Sequence, residues 1–284
     1  MNRYDYHRPT TLTEALARKA ETKDARFIAG GTDLMVRIRG KDVVTPALIS
    51  LRSIPEIAGV SLDGGACIGA ATTIGDLVRH EGLGARYPAL AQAARRIGSQ
   101  QIRNAGTIGG NVCNASPCAD TALPLLVHEA RVGLASAGGK REIPIADLFC
   151  GPRATCLKAD EIMTHVLLPA PSPKAKAVFL KKGRVMMDLS VASVAVLLEL
   201  NGDTCVKARV AAGSVGPTPL RLKDAEAILE GKRITDDLLT KACEAAMRGV
   251  SPITDVRSTA EYRRHIVGVF LKRAVLGLLG RETA

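Results

Sequence analysis

The chain has 284 residues, of which 46% are apolar but only 3% aromatic, and a formal net charge of +11. That length suits two domains built on Ala, Val, Leu and Ile, and no apolar run is long enough to span a bilayer. The basic residues are spread along the chain, and their densest cluster, "LKKGR" at Leu180 to Arg184, has no interleaved aromatics, which argues against nucleic-acid binding.

The N-terminal "MNRYDYHRPTTLTEALARK" lacks an apolar signal core, so secretion by the ordinary route is not expected. The seven cysteines are odd in number and scattered, which reads as free thiols in a reducing cytoplasm.

The first predicted helix covers Leu12 to Ala20, with Thr11 and Glu14 as a capping box. "ARFIAGG" reads as a short strand running into paired glycines, and "ALISL" and "ACIGAA" as further strands. Thr73 caps a predicted helix "IGDLVRH", and "PALAQAARRIG" is helical with Pro88 in its first turn. "ARVGLAS" and "KREIPI" form two strands around Gly138-Gly139, and "DEIMTHVLLP" another. Pro169 to Ala177, "PAPSPKAKA", reads as an extended connector between domains. Beyond it, "VASVAVLLEL" and "TCVKARVAAG" are strand-like, and helices are predicted at about Lys223 to Glu230, Thr235 to Gly249 and Ser258 to Leu279, the last with a second capping box of Ser258 and Glu261. Strands and helices mix without strict alternation, which favours an α+β fold.

The stretch "TIGGNVCNASPCADTALPLL" carries the densest chemistry. Cys113 and Cys118 lack the third cysteine that an iron–sulfur signature places two residues on, where Thr121 stands instead. His128 alone cannot complete a zinc site, so no metal is expected here, and two small buried thiols are the simpler reading than a redox pair. The glycines say more. "AGGTDL" (Ala29 to Leu34) and "TIGGN" (Thr107 to Asn111) are two loops of one style, each with a flanking Thr. Adjacent glycines let successive N–H groups point into one concavity that binds phosphate, although Gly-Gly also makes plain tight turns. Asp120, at the predicted start of the helix "ADTALPLLV", suits either a helix cap or an acceptor for ribose hydroxyls. No G-x-G-x-x-G or P-loop is present, and no G-x-S-x-G, H-E-x-x-H or close carboxylate pair marks hydrolytic machinery.

Three segments, "FIAGGTDL", "IGSQQIRNAGTIGGNVCNASPCADTALPLL" and "VFLKKGRVMMDLSVA", together with "STAEYRRHIVGVFLKRAV" near the end, resemble the FAD-binding medium subunit of the molybdenum hydroxylases. That family includes carbon monoxide dehydrogenase, 4-hydroxybenzoyl-CoA reductase and the flavin domain of xanthine dehydrogenase. The resemblance covers nearly the whole chain. It implies the two-part α+β FAD-binding fold of the vanillyl-alcohol oxidase (PCMH) type over residues 1–170, with parts at about 1–55 and 56–170. A C-terminal α+β domain with a three-stranded sheet and helices follows over 175–284.

Residue by residue, the resemblance places Ile28, Ala29, Gly30, Gly31, Thr32 and Asp33 in the first diphosphate loop and Thr107, Ile108, Gly109, Gly110 and Asn111 in the second. It sets Asp120 on the ribose, Met163 and Ile97 against the cofactor and its ring, and Lys181 near the flavin's polar edge, with Lys182 the alternative register. A cation there stabilises reduced flavin, while a solvated lysine on a strand is the plain reading. The extra iron–sulfur cluster of one family branch is not expected, because the inserted cysteine-rich segment is missing.

The implied function is an electron-transfer subunit of a cytoplasmic dimer of heterotrimers. A large molybdopterin subunit oxidises the substrate, a small subunit relays electrons through [2Fe–2S] clusters, and FAD here passes them to an external acceptor. A self-contained FAD oxidase or reductase is the alternative. The organic substrate and the acceptor are left open.

Overall fold

A computed structural model describes residues 3–281. The first part is a three-stranded parallel sheet. β1 (Asp5–His7), α1 (Leu12–Glu21), β2 (Arg26–Ile28), α2 (Leu34–Arg39) and β3 (Ala47–Ser50) follow in turn, and β3 lies between the other two strands. Parallel neighbours need a crossover, and the two short helices supply it. Thr11 caps α1 by accepting from Glu14 N–H at 3.1 Å. The return bond of the box closes one residue further out, since Glu14 Oε2 accepts from Thr10 N–H at 3.0 Å. Ala15, Ala25, Ile49, Ile54 and Ile57 form this part's core.

The second part is a five-stranded antiparallel sheet. β4 (Val60–Ser61) and β5 (Gly65–Gly69) enter it, and six short helices precede the next strand: α3 (Ile74–Arg79), α4 (Glu81–Arg86), α5 (Pro88–Arg95), α6 (Gln100–Ala105), α7 (Ile108–Cys113) and α8 (Ala122–Val127). β6 (Arg131–Ser136), β7 (Gly139–Pro144), the small hairpin β8 (Phe149–Gly151) and β9 (Ala154–Thr155), and β10 (Ile162–Pro169) complete it, in the order β4-β5-β10-β6-β7.

Two expectations change here. "TIGGN" is no open loop: Thr107 is the N-cap of α7, its hydroxyl accepting from Gly110 N–H at 3.0 Å. Asp120 is no cap: α8 begins beyond Thr121, and the Asp120 carboxylate pairs with Lys181 instead.

The C-terminal part has three long antiparallel strands, β11 (Ala175–Lys182), β12 (Ala192–Asn201) and β13 (Thr204–Gly213), with the two-residue strands β14 (Leu220–Arg221) and β15 (Lys232–Arg233) both on β13. α9 (Lys223–Leu229), α10 (Asp236–Arg248) and α11 (Ala260–Leu278) cover one face of that sheet. Ala177, Phe179, Ala195, Leu197 and Ala211 on the other face join the core of the second part. β12 is therefore buried on both faces, which is why "ASVAVLL" is continuously apolar rather than alternating. The proline connector is shorter than its composition suggests, because β10 runs through Pro169 and β11 starts at Ala175.

The second capping box is displaced. Thr259, not Ser258, caps α11 by accepting from Tyr262 N–H at 3.2 Å. Ser258 is held in a turn, exchanging backbone hydrogen bonds with Asp255 at 3.0 and 3.2 Å. Among the described residues no helix is long and apolar enough to cross a membrane.

Candidate functional site

A cleft of about 770 Å³ opens between the first and second parts. Its floor is where the two glycine segments meet. A Cβ on Gly30 would stand 2.1 Å from Ala105 O and 2.7 Å from Gly106 Cα, so only glycine lets the first segment lie against the end of α6. Gly31 turns the chain with φ +71°, which L side chains rarely adopt.

The two segments use their amides differently. In the second, every amide from Ile108 to Asn111 is committed within the protein: Ile108 N–H to Thr72 O, Gly109 N–H to Ala70 O, Gly110 N–H to Thr107 Oγ1 and Asn111 N–H to Thr107 O, at 2.9–3.0 Å. In the first, no protein acceptor among the described residues takes the N–H groups of Gly30, Gly31, Thr32 or Asp33. A run of free amides beside a cleft is an anion nest. So the free amides that the paired-nest expectation requires are found on the first segment only, and the second segment faces it as a wall. That wall still offers polar atoms. Thr121 donates to Asn111 Oδ1 at 2.6 Å, which leaves the Asn111 side-chain N–H₂ group as a donor.

Of the residues singled out in the sequence, Ile28, Ala29, Gly30, Gly31, Thr32, Asp33, Ile97, Thr107, Gly109, Gly110, Asn111 and Met163 line the cleft. Ile108 does not: it is fully buried behind the wall. β10 bulges after Met163, where the register with β6 slips by one residue, and Met163 meets Cys113 at 3.5 Å between sulfurs. Bulges re-aim side chains near functional sites. Ile97, Ile102, Met163 and Cys113 make this wall apolar. Cys113 and Cys118 are both free. Burial pushes the Cys113 thiol up to about 12, so it stays protonated.

Asp120 and Lys181 are also absent from the lining. They pair with each other at 2.6 Å, with side chains only 5% and 3% exposed. Lys181 Nζ donates as well to Arg96 O at 3.1 Å, next to the cleft residue Ile97. The strand register settles which lysine turns inward: Ala177, Phe179 and Lys181 share the face toward the second part, and Lys182 is exposed. Burial raises Asp120 to about 6 even though Lys181 and Arg96 oppose it. Its Oδ1 is buried with no hydrogen-bond partner among the described residues.

Several lining residues carried no local signal. Arg37 borders the cleft with its Nε buried and unpartnered, and Lys19, Lys23, Arg26 and Lys158 are further cations in the lining. Glu161, also in the wall, is held by Arg141 of β7 at 2.7 and 2.8 Å and by Lys158 N–H at 2.8 Å. Arg141 first, then that amide, keeps Glu161 down at about 2 in spite of its burial. This clamp joins β7 to the residue just before β10, and nothing in the sequence near either residue announces it.

Free backbone amides beside a partly apolar cleft within the usual range for cofactor sites suit a nucleotide-like cofactor. Family models agree. Residues 2–171 match the FAD binding domain in molybdopterin dehydrogenase, and residues 177–278 the CO dehydrogenase flavoprotein C-terminal domain. The chain is 32% identical over 275 residues to the xanthine dehydrogenase FAD-binding subunit of Escherichia coli O157:H7, covering 95% of this chain and 94% of that one. It is also 32% identical to the carbon monoxide dehydrogenase medium chain of Hydrogenophaga pseudoflava, covering 96% of each. A solved structure of carbon monoxide dehydrogenase from Hydrogenophaga pseudoflava superposes with a TM-score of 0.95 over 99% of both chains. The chain belongs to the FAD-binding subunit family of the molybdopterin dehydrogenases: it is an FAD-dependent oxidoreductase subunit with the two-part FAD-binding fold and flavoprotein C-terminal domain of that family.

Proposed function

We propose that this chain is the electron-output subunit of a heteromeric molybdenum hydroxylase, organised as an FAD domain over 1–170 and a C-terminal domain over 175–284. The observation that carries the placement of the cofactor is the row of free amides from Gly30 to Asp33 facing Thr107 to Asn111 across the cleft. Ile28 to Asp33 cradle the diphosphate, with Arg37 and Lys158 adding positive charge. Thr107, Gly109, Gly110 and Asn111 form the opposite wall, and Ile108 anchors it from behind. Ile97 and Met163 present apolar surface to the ring system. Asp120 offers its free Oδ1 to a ligand hydroxyl, and Lys181 holds that carboxylate in place and ties it to the C-terminal sheet.

When bound, FAD supplies two-electron chemistry, taking electrons from the [2Fe–2S] clusters of a small partner subunit and giving them to an external acceptor. This chain's own residues bind and orient the group; no side chain here is assigned a proton transfer. A large molybdopterin subunit completes the complex, a cytoplasmic dimer of heterotrimers. The test is isolation of the complex from its native source through a tag on this chain, with flavin, iron and molybdenum measured per chain. Stoichiometric flavin together with iron and molybdenum supports the reading. A chain without flavin, or one that turns over substrate alone, refutes it.

A further inference from the structure

The cleft residue Ile97 stands on a short turn, Arg96 to Ser99, between α5 and α6. Carbonyls just past a helix end lack an intrahelical donor, and here two cations supply one to three in succession. Lys181 Nζ donates to Arg96 O at 3.1 Å. Arg103 Nη1 donates to Ile97 O at 2.9 Å and to Gly98 O at 2.8 Å. Arg103 lies in the last turn of α6, and its side chain folds back over the turn that precedes that helix.

The bonding of Arg103 is unusual for a cation. It is half-buried, its Nη2 donates to Gln100 Oε1 at 3.1 Å, and its Nε is buried without a partner. Every acceptor it has is thus a neutral oxygen of the turn or of the start of α6. It does not line the cleft, so it acts there only through what it holds. The turn also depends on Gly98, whose φ is +45° and whose Cβ, if present, would stand 3.1 Å from Ile102 Cγ2. Ile102 is the second apolar residue at that end of the cleft.

The geometry has a direct consequence for Ile97. Arg96 O and Ile97 O belong to the two planar peptide units that flank the Ile97 Cα. With both oxygens pinned, the direction of its Cα–Cβ bond is fixed. Lys181 pins the first and is itself held by Asp120, whereas Arg103 pins the second and the one after it. We infer that Arg103 is a positioning residue: it sets the peptide planes around Ile97 so that this side chain meets the ring system of the cofactor, while touching no cofactor atom itself. The inference rests on the proposed function and names the group that shapes its ring end.

The test is a double-mutant cycle on the full chain, with flavin removed and rebound. Arg103→Met keeps a linear apolar stem and removes the donor fork. Alone, it is expected to lower FAD affinity about tenfold and to shift the visible spectrum of bound flavin toward that of free FAD. ADP, which has the diphosphate but no ring, is expected to bind within about twofold of its wild-type affinity. In an Ile97→Ala background the same substitution is expected to cost less than about twofold, because the group it positions is gone. Arg103→Lys, which can serve one carbonyl, should fall between wild type and Arg103→Met. If Arg103→Met fails to fold in a thermal melt, Gly98→Ala replaces it in the cycle, since the added methyl strains the same turn. Equal losses for FAD and ADP, no loss for either, or the full loss repeated in Ile97→Ala would overturn the inference. The cycle on FAD decides if ADP binds too weakly to measure. A wild-type chain that binds no FAD refutes instead the function on which the inference rests.

Discussion

Gly30→Ala is the sharpest test of the cleft floor. The new methyl carbon would lie 2.1 Å from Ala105 O and 2.7 Å from both Ala105 C and Gly106 Cα. All three are backbone atoms, so no rotamer change relieves the overlap. Restoring ordinary contact, at roughly 3.4 Å between carbon and its neighbours, moves one segment by about 1 Å or more. Overpacking of this kind costs about 1–3 kcal/mol, and a backbone clash belongs at the upper end. The displacement also widens the gap between the free amides and the facing wall. We expect the melting temperature to fall by roughly 5–10 °C and FAD affinity to drop about 100-fold. Gly31→Ala is the control: its Cβ meets only side chains, Ile28 Cδ1 and Met35 Cγ at 3.2 Å, and its φ of +71° costs about 1–2 kcal/mol. The assays are flavin absorbance per protein after desalting and a thermal melt. Gly30→Ala with stoichiometric FAD and an unchanged melt would refute the reasoning.

Lys181→Met strands the Asp120 carboxylate in the core, at a cost of about 3–5 kcal/mol at neutral pH. Burial already raises Asp120 to about 6 with Lys181 in place, and losing that cation raises it further, so the loss grows as pH rises and shrinks as the carboxyl protonates from above 6 downward; Asp120→Asn in the same chain should recover most of it, as urea melts across pH will show. Glu161 behaves in the opposite sense. Held near 2 in the folded chain, it contributes stability above its unfolded value near 4.5, on the order of 2–3 kcal/mol, which is lost as pH falls toward 2. Glu161→Gln should flatten the acid limb of the stability profile in that window and weaken FAD binding. With thiol reagents at neutral pH, exposed Cys150 should label readily and Cys113 should resist until the chain unfolds, which mass spectrometry of timed samples will decide.

Local chemistry made much of the architecture legible. Thr11, Thr73 and Pro88 sit where helices begin, because a hydroxyl cap or a fixed φ acts over three residues whatever the rest of the chain does. Ser258 failed by the same logic: Asp255, three residues earlier, captured it in a turn and passed the cap to Thr259. The glycine pairs were visible, but their uses were not. Gly30 and Gly31 leave amides free, while Gly109 spends its own on Ala70 O, in the turn after β5 some 40 residues earlier, and Gly110 on Thr107 Oγ1 close by.

By itself, then, the order of residues determined the elements, the apolar faces and the motifs that tie this chain to its family, since each depends on neighbours within a few positions. Tertiary structure alone decided that Asp120 and Lys181 satisfy each other, that Arg141 clamps Glu161 into the cleft wall, and that Lys181 reaches the Arg96 carbonyl beside Ile97. Those pairings join groups 61, 20 and 85 residues apart, and only the folded chain brings such groups into bonding range.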